Sequence, residues 1–302
     1  MAQAITTSPR TLATLRCTSP SLVMRSIAPI AGGILCGRRA LRPMAATNMS
    51  APYRPQTVLI TGATGGFGQA FARQFAALGC NLILTSRRTD ELKKLAGTLS
   101  VPLHQAIVDV TKRDEIEKFV ATLPADFQGV DCLINNAGGA LGLEPAFESN
   151  LDDWLTMIHA NVTGLVTLTH ALLPRMVQAK RGHIINIGSV AGNYAYPNGH
   201  VYCAVKAFVG HFSAALRADL IAHNVRVTNI EPGLAETPFS LNRFKGDAER
   251  AAKVYEHANP LTADDIAEAV VWAATRPARV NINRIEVMPT TQATGPLAVY
   301  RG

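Results

Sequence analysis

From residue 57 onward, seven short runs rich in Val and Ile alternate with longer amphipathic stretches, and no composition break divides 56–302. The runs are TVLIT (57–61), NLILTS (81–86), HQAIVDV (104–110), DCLINN (131–136), GHIINIG (182–188), VRVTNI (225–230) and RIEVM (284–288). Between them, stretches such as GQAFARQFAALG (68–79) and RDEIEKFVATL (113–123) carry apolar residues at helical spacing. Thr111 followed by Asp114 has the spacing of a capping box for the second of these. Strand–helix alternation of this kind predicts an α/β fold: a single doubly wound Rossmann-type domain, with a mostly parallel seven-stranded sheet and helices on both faces. Ligands of such sheets bind beyond the carboxyl ends of the strands.

Composition matters at the other end of the chain. Residues 1–54 hold seven arginines, no lysine and no acidic residue. Removing those seven from the 29 basic residues leaves 22, against 22 acidic ones, so the formal charge of +7 belongs to the leader. A neutral body removes the main reason to expect a nucleic-acid partner. An acid-free, hydroxylated, arginine-bearing leader over 1–55 reads as a disordered organelle transit peptide, or else as a tail with no address. Its uncharged opening, MAQAITTSP, favours a plastid over a mitochondrion, and its apolar piece IAPIAGGILCG (27–37) is too short to span a bilayer. The five cysteines form no CxxC pair and no metal-ligand spacing, so neither a metal site nor a disulfide framework is expected. The closing TGPLAVYRG (294–302) reads as an interface segment or a tail.

The first strand runs into TGATGGFG (61–68), whose glycines at 62, 66 and 68 follow a strand and open a helix. That context suits a dinucleotide site, where backbone N–H groups approach a pyrophosphate at the positive end of a helix. A carboxylate about 20 residues further on would bind the ribose 2′-hydroxyl of NAD, whereas arginine accommodates the 2′-phosphate of NADP. Here the second strand ends in Ser86, Arg87 and Arg88, with no acid before Asp90. A guanidinium matches a phosphate in charge and in bidentate geometry. The expected cofactor is NADP.

The fifth strand ends at Ser189, and Tyr202 and Lys206 lie four apart in a helical stretch, on one face. A tyrosine titrates near ~10, and a lysine ammonium beside it, with a charged nicotinamide, is expected to lower that value. The phenol can then give a proton to a developing alkoxide or remove one in the reverse direction. Ser189 would hold the substrate oxygen.

Together TGATGGFG, NNAG (135–138), Asn161, Ser189, Tyr202-x-x-x-Lys206 and EPG (231–233) resemble the short-chain dehydrogenase/reductase family across 56–302. The resemblance implies that Asn161 anchors a water in a proton relay through Lys206, and that Tyr202 and Lys206 also contact the cofactor. It further implies that Gly62, Gly66, Phe67 and Gly68 line the cofactor's phosphates. Asp109 and Val110 would lie by the adenine, Asn136 near the adjacent ribose, and Pro232, Gly233 and Thr237 over the nicotinamide amide. Taken alone, Asp109 is a strand-end cap, NNAG a tight turn and EPG a chain reversal.

Further pieces resemble the NADP-dependent 3-hydroxy acid dehydrogenase group: GLEPAFES (142–149), GHIINIGS (182–189), RVTNIEPGL (226–234), NRFKGD (242–247) and VNINRIEVMPTTQ (280–292). That resemblance implies small 3-hydroxy acids as substrates, of the L-allo-threonine, serine and 3-hydroxypropionate type, and a homotetramer. A carboxylated substrate asks for a cation, and Arg243 is the expected partner, with an exposed charge on a mobile lid as its bland alternative. Glu144 reads as a structural or solvated carboxylate before an ammonium acceptor. Two other functions are alternatives: a reductase of 3-oxoacyl thioesters, which shares the Ser–Tyr–Lys core but which NRFKGD and EPGL disfavour, and a non-catalytic dinucleotide sensor, which would be expected to have lost part of that core.

Overall fold

The computed structural model describes residues 53–294 and residue 299. The stretch 1–52 of the leader and nearly all of TGPLAVYRG therefore lie outside the described residues. The strands are β1 (Thr57–Ile60), β2 (Asn81–Ser86), β3 (Leu103–Ile107), β4 (Cys132–Asn135), β5 (Gly182–Ile187), β6 (Val225–Pro232) and β7 (Arg284–Val287). The helices are α1 (Gly66–Ala77), α2 (Thr89–Ala96), α3 (Arg113–Ala121), α4 (Leu151–Ile158), α5 (Gly164–Ala179), α6 (His200–Asp219), α7 (Phe239–Arg243), α8 (Ala248–Tyr255) and α9 (Ala263–Ala274).

All strand pairs are parallel, in the order β3-β2-β1-β4-β5-β6-β7. The order reverses between β1 and β4, which opens a crevice at their carboxyl ends. The central strands are buried on both faces, so their side chains alternate between two cores. Val58, Ile60, Leu82 and Leu84 pack beneath α1, α2 and α9 with Phe71, Phe75 and Val270. Leu59, Ile83, Leu133 and Ile184 point to the opposite layer, against Ile116 of α3 and Leu168 and Leu172 of α5. Among the described residues no helix is long and apolar enough to cross a membrane.

Three local expectations are corrected. Strand β3 ends at Ile107, three residues short of the predicted run, because the Asp109 carboxylate captures Thr111 through its N–H at 3.0 Å and its hydroxyl at 2.8 Å. That capture also removes the capping box: α3 is preceded by Lys112 with no side-chain cap. A capping box forms instead at α9, between Thr262 and Asp265. Lastly, Tyr53 to Pro55, assigned to the leader by composition, belong to the folded body. The Tyr53 ring lies between the guanidinium groups of Arg181 and Arg226, at 4.4 and 4.6 Å from its centroid. Its hydroxyl donates to Asp131, which also takes a 2.7 Å ion pair from Arg181. An acid-free leader composition carries no trace of these long-range partners.

Candidate active site

The turn from β1 into α1 is built for close approach. Gly62 adopts φ +61°, a conformation that disfavours any other residue. A Cβ on Gly68 would collide with the Gly62 carbonyl and lie 2.7 Å from the Ala63 Cα, and one on Gly66 would lie 2.8 Å from the Thr237 Cβ. The capping position of α1, Gly65, supplies no side chain, and the first turn holds no acid. Its N–H groups thus face the crevice with the helix dipole behind them, a cradle that suits a phosphate. Phe67 packs on Phe71, with ring centroids 6.2 Å apart.

Asn136 holds this turn together. Its amide donates to the Thr61 and Gly62 carbonyls at 2.8 and 3.1 Å, while its backbone N–H and that of Ala137 donate to the Thr61 hydroxyl. The NNAG segment therefore braces the glycine turn from the neighbouring strand. Deeper in, Asn135 bonds Thr169 and Asn186, and Asn186 bonds Ser213, a buried chain of amides and hydroxyls beneath β4 and β5.

Beyond β2, both arginines stand beside that turn. Arg88 donates through Nε to the Thr64 hydroxyl at 3.1 Å and through its backbone N–H to Ser86 Oγ at 3.0 Å. The two hydroxyls bond each other at 2.7 Å. Arg88 also pairs with Glu91 at 2.8 Å, whereas Arg87 is largely exposed and 3.9 Å from Asp109. Burial pushes the Asp109 carboxyl up, but hydrogen bonds from Thr111 and the nearby Arg87 outweigh it and hold the group low. Val110 runs directly under Gly164, where a Cβ would lie 3.0 Å from its own Cβ. Thr64 was not anticipated; its signal was a hydroxyl inside the glycine turn.

Ser189, Tyr202 and Lys206 meet at the carboxyl end of β5. Ser189 Oγ accepts from the Ala191 N–H at 3.1 Å and donates to the Pro232 carbonyl at 3.4 Å, and its hydroxyl favours the ionised form of Tyr202. Lys206 Nζ donates to the Ile187 carbonyl at 2.9 Å and stands 5.8 Å from the Tyr202 ring centroid. Close packing around the Tyr202 hydroxyl pushes its pKa up, and the neighbouring Tyr196 adds to this; the Ser189 hydrogen bond and the Arg243 guanidinium oppose them. The Arg243 guanidinium thus favours ionisation of Tyr202, and it stands 5.8 Å from the ring centroid, the same distance as Lys206 Nζ. Lys206 is itself pushed down to about 8 by burial.

That depression has a measurable sign. Between about pH 8 and the ordinary lysine value of 10.5, the unfolded chain binds the proton that folded Lys206 has lost. The lysine's contribution is therefore present above the unfolded value and lost as pH falls through about 8. Urea titrations of the cofactor-free protein should show stability relative to Lys206→Met rising from pH 8 to 9, with a slope of at most ~1.4 kcal/mol per unit. Parallel curves for the two proteins would rule the shift out.

Asn161 sits in a π-helical turn, His159–Thr163, a distortion frequent at functional sites. Its amide donates to the Gly139 and Met157 carbonyls, both at 2.9 Å, and its oxygen accepts from the Gly139 N–H at 3.3 Å. The side chain thus fixes the loop after NNAG. On the far side, buried Glu231 accepts from Asn193 at 2.8 Å and Asn229 at 2.7 Å and pairs with Arg284 at 3.0 Å. It ties the loop following Ser189 to the strand end that carries Pro232. Gly233 donates to the Val287 carbonyl at 2.7 Å, and no side chain fits on it beside Gln292.

The segment after β6 folds over these residues as a lid. Tyr255 donates to the Thr237 carbonyl at 3.4 Å and bonds Ser240 at 2.7 Å, and Phe239 lies 5.7 Å from the Tyr202 ring. Lys245 pairs with Asp153 at 2.8 Å, and Arg250 with Glu144 at 3.5 Å. Glu144 also accepts from the Leu143 N–H, so it serves as a structural carboxylate. Arg243, at the end of α7, reaches the Gly142 carbonyl at 2.9 Å, and its guanidinium carbon lies 5.8 Å from the Tyr202 ring. Among the described residues no group of three or more His, Cys, Asp or Glu could hold a metal ion.

A glycine cradle under a helix, two arginines beside it, and a serine–tyrosine–lysine cluster at the strand ends form a site for a nucleotide cofactor and a small oxygen-bearing substrate. The chain belongs to the short chain dehydrogenase family, whose sequence model matches residues 56–248. It is 53% identical over 245 residues to the NADP-dependent 3-hydroxy acid dehydrogenase YdfG of Salmonella typhi, covering 81% of this chain and 99% of that protein. It is 47% identical over 245 residues to the serine 3-dehydrogenase of Agrobacterium fabrum, covering 81% and 98%. Among solved structures, the closed form of a serine dehydrogenase complexed with NADP+ superposes with a TM-score of 0.79 at 50% identity, covering 82% of this chain and all of that one.

Proposed function

We propose that the protein is an NADP-dependent oxidoreductase interconverting the 3-hydroxyl and 3-oxo groups of small 3-hydroxy acids. The observation that carries this reading is the placement of Arg243, a cation 5.8 Å from the Tyr202 ring, where a substrate carboxylate needs a partner while its 3-oxygen meets the phenol. The glycine cradle, with room for no Cβ at Gly68, together with Arg87 and Arg88 fits a dinucleotide carrying a 2′-phosphate. NADP, when bound, supplies or accepts the hydride.

The chain's own residues do the rest. Ser189 holds the reacting oxygen by a hydrogen bond, and Tyr202 gives it a proton during reduction or takes one during oxidation. Lys206, on the same face of α6, holds the nicotinamide ribose, and Asn161 supports the relay that returns the proton to solvent. Gly62, Gly66, Phe67 and Gly68 take the phosphates, Arg87 and Arg88 the 2′-phosphate. Asp109 and Val110 border the adenine, Asn136 the ribose, and Pro232, Gly233 and Thr237 the nicotinamide. The lid excludes water from this chemistry.

The leader's composition supports an organelle address, a plastid before a mitochondrion. Exposed Leu151 and Leu155 on α4 and Phe208 on α6 leave apolar surface for further copies, in keeping with a homotetramer.

The test is the initial rate with L-allo-threonine under saturating NADP and, in parallel, saturating NAD. Turnover with NADP at least ~100-fold more efficient than with NAD is expected, since charged hydrogen bonds to a phosphate contribute about 1.5–3 kcal/mol each. No turnover with either, in protein shown to bind NADPH, rejects the pocket and favours a reductase of 3-oxoacyl thioesters.

A further inference from the structure

Arg243 ends a five-residue helix on a lid, a poor platform for aiming a charge. Its position is set instead by partners from two other segments. Gly142 and Arg243 exchange two hydrogen bonds: the Gly142 N–H donates to the Arg243 carbonyl at 3.0 Å, and Arg243 Nε donates to the Gly142 carbonyl at 2.9 Å. Gly142 adopts φ +71°, which favours glycine there. The second partner is Tyr196, in the loop before α6. The Arg243 guanidinium carbon lies 5.7 Å from its ring centroid, and the guanidinium charge opposes the burial that raises the phenol's pKa.

Tyr196 is itself fixed. Its ring occupies the space that Gly199 leaves free, where a Cβ would lie 2.6 Å from Tyr196 Cε2 and 2.8 Å from Cys203 Sγ. Burial raises its pKa, so the phenol stays neutral near pH 7 beside the Arg243 guanidinium. A guanidinium offers five N–H donors. With Nε on Gly142, enough remain for a bidentate grip on a carboxylate.

We propose that Tyr196 is a positioning residue that sets carboxylate specificity, by clamping the Arg243 guanidinium beside Tyr202 when the lid is down. The inference rests on the 3-hydroxy acid reading. It makes the acid preference a property of the Gly142–Arg243–Tyr196 contact, in addition to the charge of Arg243.

The experiment compares kcat/KM for a 3-hydroxy acid and for its neutral primary amide, with NADP, in wild type, Tyr196→Phe, Arg243→Met and the double variant. The acid-to-amide ratio cancels any damage to the shared chemistry, which a merely structural role would inflict on both substrates. Tyr196→Phe should lower that ratio several-fold, mainly through KM for the acid, as expected when the hydroxyl of the ring beside the guanidinium is lost. Arg243→Met should lower it at least as far, and the double variant no further than Arg243→Met, because Tyr196 acts through Arg243.

Phe fills the same space beside Gly199, and each variant is checked for NADPH binding by fluorescence. Arg243→Lys tests the clamp from the lid side: it keeps the charge but cannot reach both partners as a fork, so the ratio should fall there as well. A wild-type ratio in Tyr196→Phe or Arg243→Lys, or multiplicative effects in the double variant, overturns the role of Tyr196 and leaves the function standing. A wild type with no activity on the acid overturns the function, and this inference with it.

Discussion

Tyr202→Phe should lower turnover at least a thousandfold, while the protein still binds NADPH and unfolds cooperatively. The phenyl ring keeps its contacts with Phe239 and with the Lys206 ammonium, so the loss is confined to one hydroxyl. That hydroxyl is where Ser189 and Arg243 converge. Positioned proton transfer contributes about 10²–10⁴-fold, and the phenol also anchors the substrate oxygen with Ser189. Burial holds the Tyr202 pKa above its ordinary value without ligands, so oxidation, which needs the phenolate, should accelerate as pH rises through the neutral to alkaline range. Reduction uses the protonated phenol and should not share that rise. Steady-state rates in both directions check this, and a Phe variant retaining a tenth of wild-type turnover would remove Tyr202 from the proton path.

Replacing Arg87 and Arg88 together by Leu should weaken NADPH binding by about two orders of magnitude and change NADH binding little. Arg87 is largely exposed and its 3.9 Å contact with Asp109 is loose, so it is free to turn toward a phosphate. Arg88 is already oriented by Thr64 and paired with Glu91, and it delivers a guanidinium beside the glycine turn. Two charged hydrogen-bonding groups facing a dianion, partly screened by solvent, support a loss of about 3 kcal/mol. Fluorescence titrations with each cofactor measure it, and equal losses for NADPH and NADH would show the arginines acting on something other than the 2′-phosphate.

Which residues were legible in the sequence follows from where their partners lie. Gly62, Gly66 and Gly68 sit within seven residues of one another at a strand–helix junction, and Tyr202 and Lys206 share one helical turn. Local geometry alone assembles such groups. The strand runs were legible because buried parallel strands are continuous apolar segments, even though their ends shifted where Asp109 and Asn136 began turns. Tyr53 was read as leader because its partners, Asp131, Arg181 and Arg226, are 78 to 173 positions away along the chain.

By itself, then, the sequence determined the α/β alternation, the glycine cradle, the missing carboxylate after β2 and the serine–tyrosine–lysine set. Each of these is a pattern of neighbours in the chain. Tertiary structure alone brought a second cation to Tyr202 beside Lys206. Arg243 arrives there through a bond to Gly142, 101 residues away, and through Tyr196, whose importance no local pattern announces. It also turned Asn136 and Asn161 into braces of turns that lie earlier in the chain, and Glu231 into the tie behind Ser189. The physical reason is common to all of them. A hydrogen bond or ion pair between distant segments forms only once the sheet and its two core layers have fixed both ends, and no propensity or spacing in the chain encodes that meeting.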